Sequence, residues 1–187
     1  MIFAVSTSSP FVSVAVFSTE GETLFSGELE SRQEASNACL QLLEQSGLDV
    51  LQGTLFLADL GPGSFTGTRV GVTLAKTLAW AANGECAGAL AFDLISVGKT
   101  VVFPSRRGEW FIRPPGGEVT RNESLPQCDY LGFGPSIEDP VYPHAKRFAS
   151  LLGHLDRMAP EALVPVYLID PSISLPKQPL SRVGGQT

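Results

Sequence analysis

Gly61-Pro62-Gly63-Ser64-Phe65-Thr66-Gly67-Thr68-Arg69-Val70-Gly71 constrains this chain more than any other stretch. It follows the apolar run Leu55 to Leu60, which reads as a buried strand. It opens a helical pattern that reaches about Asn83. The junction is therefore strand, glycine-rich turn, helix. Gly61 and Gly63 permit backbone angles closed to other residues, and Pro62 stiffens the bend. Ser64 or Thr66 can cap the helix by accepting from its first free N–H groups.

The helix has three faces. Gly67, Gly71, Ala75 and Ala79 recur every fourth residue and form a ridge of small side chains, which lets a neighbour approach closely. Val70, Leu74, Leu78 and Ala81 form a greasy ridge suited to the core. Thr66, Arg69, Thr73, Lys76 and Trp80 lie on a third face. The small ridge either packs on the chain's own sheet or meets a partner. On the partner reading, Gly67, Arg69, Gly71, Thr73, Lys76 and Trp80 form the binding surface.

The elements around this junction give a fold class. Ile2 to Val5, Phe11 to Phe17 and Glu22 to Glu30 read as an antiparallel meander with tight links. A helix is expected over 32–46, with Ala35, Ala38, Cys39, Leu42 and Leu43 inward and Gly47 as its stop. The Leu55 strand, the long helix and a small-residue strand near Cys86 to Ala91 follow. Three strands, then helix–strand–helix–strand, is the order of a ribonuclease-H-like α/β sheet. The character changes after Gly98. Short strands are expected at 100–103 and 109–113, a loop over 114–126, a strand over 128–133, a helix over 144–158 and an extended run over 164–169. Prolines 171, 176 and 179 forbid a helix beyond it. The expected organisation is a first lobe at 1–98, a reduced second lobe at 99–174 and a frayed tail at 175–187.

Composition narrows the function. With 187 residues, 43% of them hydrophobic, a sizeable core is possible. A net charge of −6 repels phosphate, so unaided binding of tRNA or other nucleic acid is not expected. Three widely spaced cysteines suggest neither a disulfide framework nor a zinc site, which suits a reducing cytoplasm. No signal peptide and no membrane span are expected.

Catalytic signals are sparse. Gly98-Lys99-Thr100 lacks the earlier glycine of a phosphate loop, because Asp93 stands in its place. Ser6 and Thr7 either cradle a phosphate or make a turn. Asp59 lies at the carboxyl end of a central strand, where ligands bind in open α/β sheets. It is a candidate catalytic carboxylate or a loop residue. Arg106 and Arg107 form a charged tip that could hold a phosphate, a partner's carboxylate or only solvent. His144 and His154 lack metal-ligand companions, and no nucleophile–base order is evident. No catalytic residue, metal or cofactor is expected.

The Gly-Pro-Gly-Ser-Phe-Thr-Gly-x-Arg-x-Gly segment, followed by Ala75-Lys76-x-Leu78-Ala79, resembles the TsaB (YeaZ) family of tRNA threonylcarbamoyladenosine biosynthesis. Ala4-Val5-Ser6-Thr7-Ser8 is similar to that family's opening Ala-Ile-Asp-Thr-Ser, and Ser105 to Glu109 to its Ala-Arg-Arg-Gly-Glu. Pro165 to Leu168 resembles its late Pro-x-Tyr-Leu. The resemblance implies actin/Hsp70-like (ASKHA) lobes and a catalytically quiet subunit. It implies pairing with a TsaD paralogue, a TsaE ATPase as third member, and homodimers through the two first-lobe helices. Ser6 replaces the family's Asp, Ala35 and Asn37 replace its frequent His and Glu, and Pro104 replaces an Asp. The second lobe is also shorter than usual. The alternative is an ATP-dependent phosphotransferase or hydrolase of the same fold with Asp59 as its carboxylate. A peptidase has no nucleophile–base pair to support it.

Overall fold

A computed structural model describes residues 1–31, 34–105 and 108–168. The expected start of the first helix at Arg32, the arginines 106 and 107, the end of the extended run and the tail all lie outside the described residues.

The first sheet has the order β3-β2-β1-β4-β5. Its strands are β1 (Ile2–Ser6), β2 (Phe11–Phe17), β3 (Thr23–Glu30), β4 (Leu55–Asp59) and β5 (Glu85–Ala89). β1, β2 and β3 are antiparallel neighbours, while β4 pairs parallel with both β1 and β5. The interior strands β1 and β4 are apolar on both faces, as two covered faces require. α1 (Ala35–Ser46) links β3 to β4, and α2 (Phe65–Ala82) links β4 to β5. Gly47 ends α1 in the left-handed conformation, at φ 63°. Both helices cover one face, where Val5, Val14, Leu42, Phe56, Val72 and Ala75 share a core. This is the α/β order expected of a ribonuclease-H-like lobe.

The opposite face is covered by late chain. Ala145 and Phe148 are fully buried against Ile2, Phe17 and Leu57, and Leu163 joins the core beneath the helices. The segment 145–163, expected with the second lobe, thus packs on the first sheet. The continuous helix expected over 144–158 is corrected. The chain makes 3-10 turns at Ala145–Ser150 and Leu152–His154 and is then extended to Met158. Met158 and Cys86 exchange backbone hydrogen bonds at the edge of β5, and a helix could not make that bridge.

A second sheet has the order β8-β7-β6-β9, from β6 (Thr100–Pro104), β7 (Trp110–Arg113), β8 (Thr120–Asn122) and β9 (Tyr130–Gly132). β8 falls within the expected loop over 114–126 and pairs antiparallel with β7. Its three residues are exposed and polar, so no hydrophobic alternation announced a strand. Phe92, Ile95, Phe103 and Phe111 form this sheet's core.

Candidate functional site

The glycine-rich junction is built tightly. Ser64 caps α2 by accepting from the Gly67 amide at 3.1 Å. Gly61 has φ 83°, a region open to glycine. The turn lies against the β1–β2 link, where the Ser64 amide donates to the Ser8 carbonyl at 2.7 Å. The Thr7 hydroxyl donates to the Gly67 carbonyl at 2.8 Å.

This contact settles which way the small ridge faces. A Cβ on Gly67 would stand 2.1 Å from the Thr7 carbonyl oxygen, and one on Gly71 would stand 2.3 Å from Thr7 Oγ1. Gly67, Gly71, Ala75 and Ala79 are all buried. Gly67 and Gly71, expected on a partner surface, therefore lie against β1 and the chain's own core. Of the larger row expected in the core, Leu74 and Leu78 are half-buried and pack against it, whereas Val70 is half-buried outside that cluster and Ala81 is exposed. Small side chains seat the helix close to the sheet. The bulkier row is left along its flank.

That flank forms an apolar groove of about 450 Å³ between α1 and α2. Leu40 from α1 and Phe65, Arg69, Val70, Thr73 and Leu74 from α2 line it. Leu40 is 51% exposed, Phe65 46% and Trp80 74%. The Arg69 guanidinium lies 5.2 Å from the Phe65 ring centre, and Tyr167 packs on the same ring at 5.1 Å. Arg69, Thr73 and Trp80 are exposed together on α2. Lys76 is half-buried and donates to the Glu161 carbonyl at 3.4 Å, so it faces the late chain beside the groove. Leu40 and Tyr167 were missed in the sequence; an exposed leucine on α1 is indistinguishable from a core leucine until the helix is placed.

The other candidates gather elsewhere. Asp59 is completely buried. Its Oδ2 accepts from the Ser6 hydroxyl at 2.7 Å and the Ser8 hydroxyl at 2.5 Å, and its Oδ1 accepts from the Gly61 amide at 2.8 Å. Burial pushes its carboxyl above the ordinary range, and the hydrogen bonds from Ser8, Ser6 and Gly61 partly oppose that. Ser6 and Asp59 are thus brought together, but as a closed network that ties β1 and β4 to the turn. Thr7 is likewise committed to α2. Ser6, Thr7 and Asp59 are all buried. Among the described residues, no three His, Cys, Asp or Glu side chains converge as a metal site. No helix among them is long and apolar enough to cross a membrane.

Known proteins resemble both the sequence and the fold. The family model for TsaD, tRNA N6-adenosine threonylcarbamoyltransferase, matches residues 29–89, less than half of the chain. The tRNA threonylcarbamoyladenosine biosynthesis protein TsaB of Bacillus subtilis (strain 168) is 38% identical over 56 residues. That match takes in 26% of this chain and 24% of the relative, so the chain matches about a quarter of its curated relative's length. In structure, YeaZ from Pseudomonas aeruginosa aligns with a TM-score of 0.66 at 21% identity, covering 89% of this chain and 99% of that one. A second Pseudomonas aeruginosa structure, described as an uncharacterized protein with similarity to peptidase YeaZ, aligns at 0.67 and 20% identity over 90% and 99%. The mixed α/β fold is the actin-like, ASKHA-type fold of those YeaZ structures. The fold across most of the chain is that of these YeaZ structures, while the TsaD family model matches only residues 29–89.

Proposed function

We propose that this chain is a non-catalytic partner subunit in tRNA threonylcarbamoyladenosine formation, pairing with a TsaD-like paralogue through the α1–α2 face. The observation that carries this reading is the apolar groove between the helices, with Leu40 and Phe65 exposed along it and Trp80 exposed further along α2. Isolated exposed apolar residues are ordinary on a protein surface. A contiguous apolar groove lined by Arg69, on a helix that also exposes Trp80, has the makeup of an interface, where Arg and Trp are enriched among hot spots. The similarity to TsaB and to the TsaD family model supports the same complex. In it the paralogue performs the chemistry, a TsaE-like ATPase joins the pair, and tRNA is reached only through the assembly. Alone, the chain uses the same face to form a homodimer, and its place is the cytoplasm. The enclosure of Asp59 and Ser6 by their own hydrogen bonds supports a catalytically silent chain.

The experiment is co-purification and sedimentation of the chain with its TsaD-like paralogue. Trp80→Ala and Leu40→Asp should each weaken the complex at least tenfold, since a hot-spot residue contributes on the order of 2 kcal/mol. The thermal midpoint of the free chain should barely move, because both side chains are exposed. A complex unaffected by both substitutions would remove this face as the interface. Magnesium-dependent ATP turnover by the free chain that vanishes in Asp59→Ala would replace the reading with the enzyme.

A further inference from the structure

The outer edge of β5 holds an unfinished ladder. β5 pairs with β4 through Glu85, Ala87 and Ala89, whose backbone groups face β4; the Glu85 amide bonds to Thr54 and the Ala89 carbonyl accepts from Leu60. The alternate residues Cys86 and Gly88 must therefore face away from β4. Cys86 is satisfied by Met158, donating to its carbonyl at 2.9 Å and accepting from its amide at 2.8 Å. Two residues on, the same antiparallel geometry sets Gly88 opposite Asp156. No bond forms there. The Gly88 N–H and C=O have no partner among the described residues, although Gly88 is half-buried.

The gap is a cavity of about 400 Å³. Its walls include Leu60, Leu155 and Met158, and Asp93, His154 and Asp156 stand at its polar side. It sits beyond the carboxyl ends of β4 and β5, outside the α1–α2 groove and outside the Asp59 network. A half-buried edge donor and acceptor facing a partly apolar cavity calls for a polar occupant, because unmet backbone groups are costly to bury. The free edge is one residue long, bounded by the Cys86–Met158 bridge. That is too short to add a peptide strand, which needs several successive pairs. One residue presents one donor beside one acceptor. A flat heterocycle with an adjacent ring nitrogen and amino group matches it, with the apolar walls stacking on its faces.

Charge refines the class. Asp93 is held by Arg113 at 2.6 Å, whereas Asp156 is exposed and has no ion-pair partner among the described residues. A phosphate beside Asp156, on a chain of net charge −6, would be repelled. The geometry points to a site for a small aminopyrimidine- or purine-type base, free or as a nucleoside and without phosphate, that pairs with Gly88 at the edge of β5.

The test reads the Gly88 amide directly. The 15N-labelled chain is titrated with 2-aminopyrimidine, adenosine and AMP while backbone amide shifts are followed. The Gly88 amide is expected to move saturably with the first two, and AMP is expected to bind at least threefold more weakly than adenosine. Asp156→Lys, an exposed substitution that leaves the walls intact, should close the gap between AMP and adenosine. A Gly88 amide that stays fixed at millimolar 2-aminopyrimidine and adenosine overturns the site. AMP binding as tightly as adenosine to the unaltered chain, or a gap unchanged in Asp156→Lys, overturns the assignment of a phosphate-free ligand.

Discussion

Asp59 shows how one side chain can look catalytic and act as a strut. Its carboxylate gathers Ser6, Ser8 and the Gly61 amide, so three buried donors depend on one acceptor group. Asp59→Ala leaves all three unmet, at roughly 1–3 kcal/mol for each that stays buried and unsatisfied. The expected outcome is a loss of at least about 3 kcal/mol in urea unfolding. An unchanged unfolding midpoint would show that the network is dispensable. His144 makes a second, pH-dependent case. Its Nδ1 accepts from the Lys146 amide at 3.0 Å, which the protonated ring cannot do. Burial, reinforced by the charges of Lys146 and Arg147, lowers its pKa to about 4. Glu28 lies 3.8 Å from Nε2 and would favour protonation, but that carboxylate is 38% exposed and screened. Burial therefore wins. With the folded value below the unfolded one, His144 contributes stability that is present above about pH 6.5 and lost as pH falls towards 4. Comparing unfolding free energies of the native chain and His144→Gln across that window should show the native chain losing more stability as pH falls. Parallel curves would remove His144 from the acid sensitivity.

At the scale of the element, α2 is set by what cannot be added to it. Alanine favours a helix over glycine by about 1 kcal/mol, so Gly67→Ala would stabilise an isolated helix. Here the added methyl would stand 2.1 Å from the Thr7 carbonyl oxygen, a backbone atom tied to β1. Overpacking of this kind costs about 1–3 kcal/mol, so the net expectation is destabilisation. Differential scanning calorimetry should give a lower midpoint for Gly67→Ala, and a larger drop for Gly71→Leu. A Gly67→Ala chain that melts later than the native one would mean that α2 can stand off the sheet. Trp80, on the opposite side of the same helix, should move association and not melting.

At the scale of the whole molecule, the acidic surface sets its partners. A net charge of −6 gives little of the counterion release that drives binding to a phosphate backbone. Filter binding at physiological ionic strength should detect no micromolar tRNA complex with the free chain. A salt-sensitive micromolar complex would count against reaching tRNA only through the assembly. The late chain gives the molecule its coherence: 145–155 closes the open face of the first sheet, Leu163 joins the core beneath the helices, and Tyr167 then reaches the rim of the α1–α2 groove.

Local patterns were enough for the elements near the start. Alternation in 11–17, the Gly47 stop and the Gly-Pro-Gly turn each rest on interactions within a few residues, so the first sheet and its helices could be read in order. The motif around Gly61 to Gly71 carried the family resemblance for the same reason. The direction of the small ridge could not be read. Periodicity identifies faces of a helix but not which face is covered, and Thr7, sixty residues away, decided it. The fate of Asp59 depended on Ser6 and Ser8 arriving from another strand. The extended path into Met158 depended on a free edge at Cys86, and the polar strand β8 on pairing with β7. Sequence determined what each segment could form; tertiary contacts between distant segments decided which polar groups were satisfied and which surfaces were left over, because those outcomes depend on partners that no local window contains.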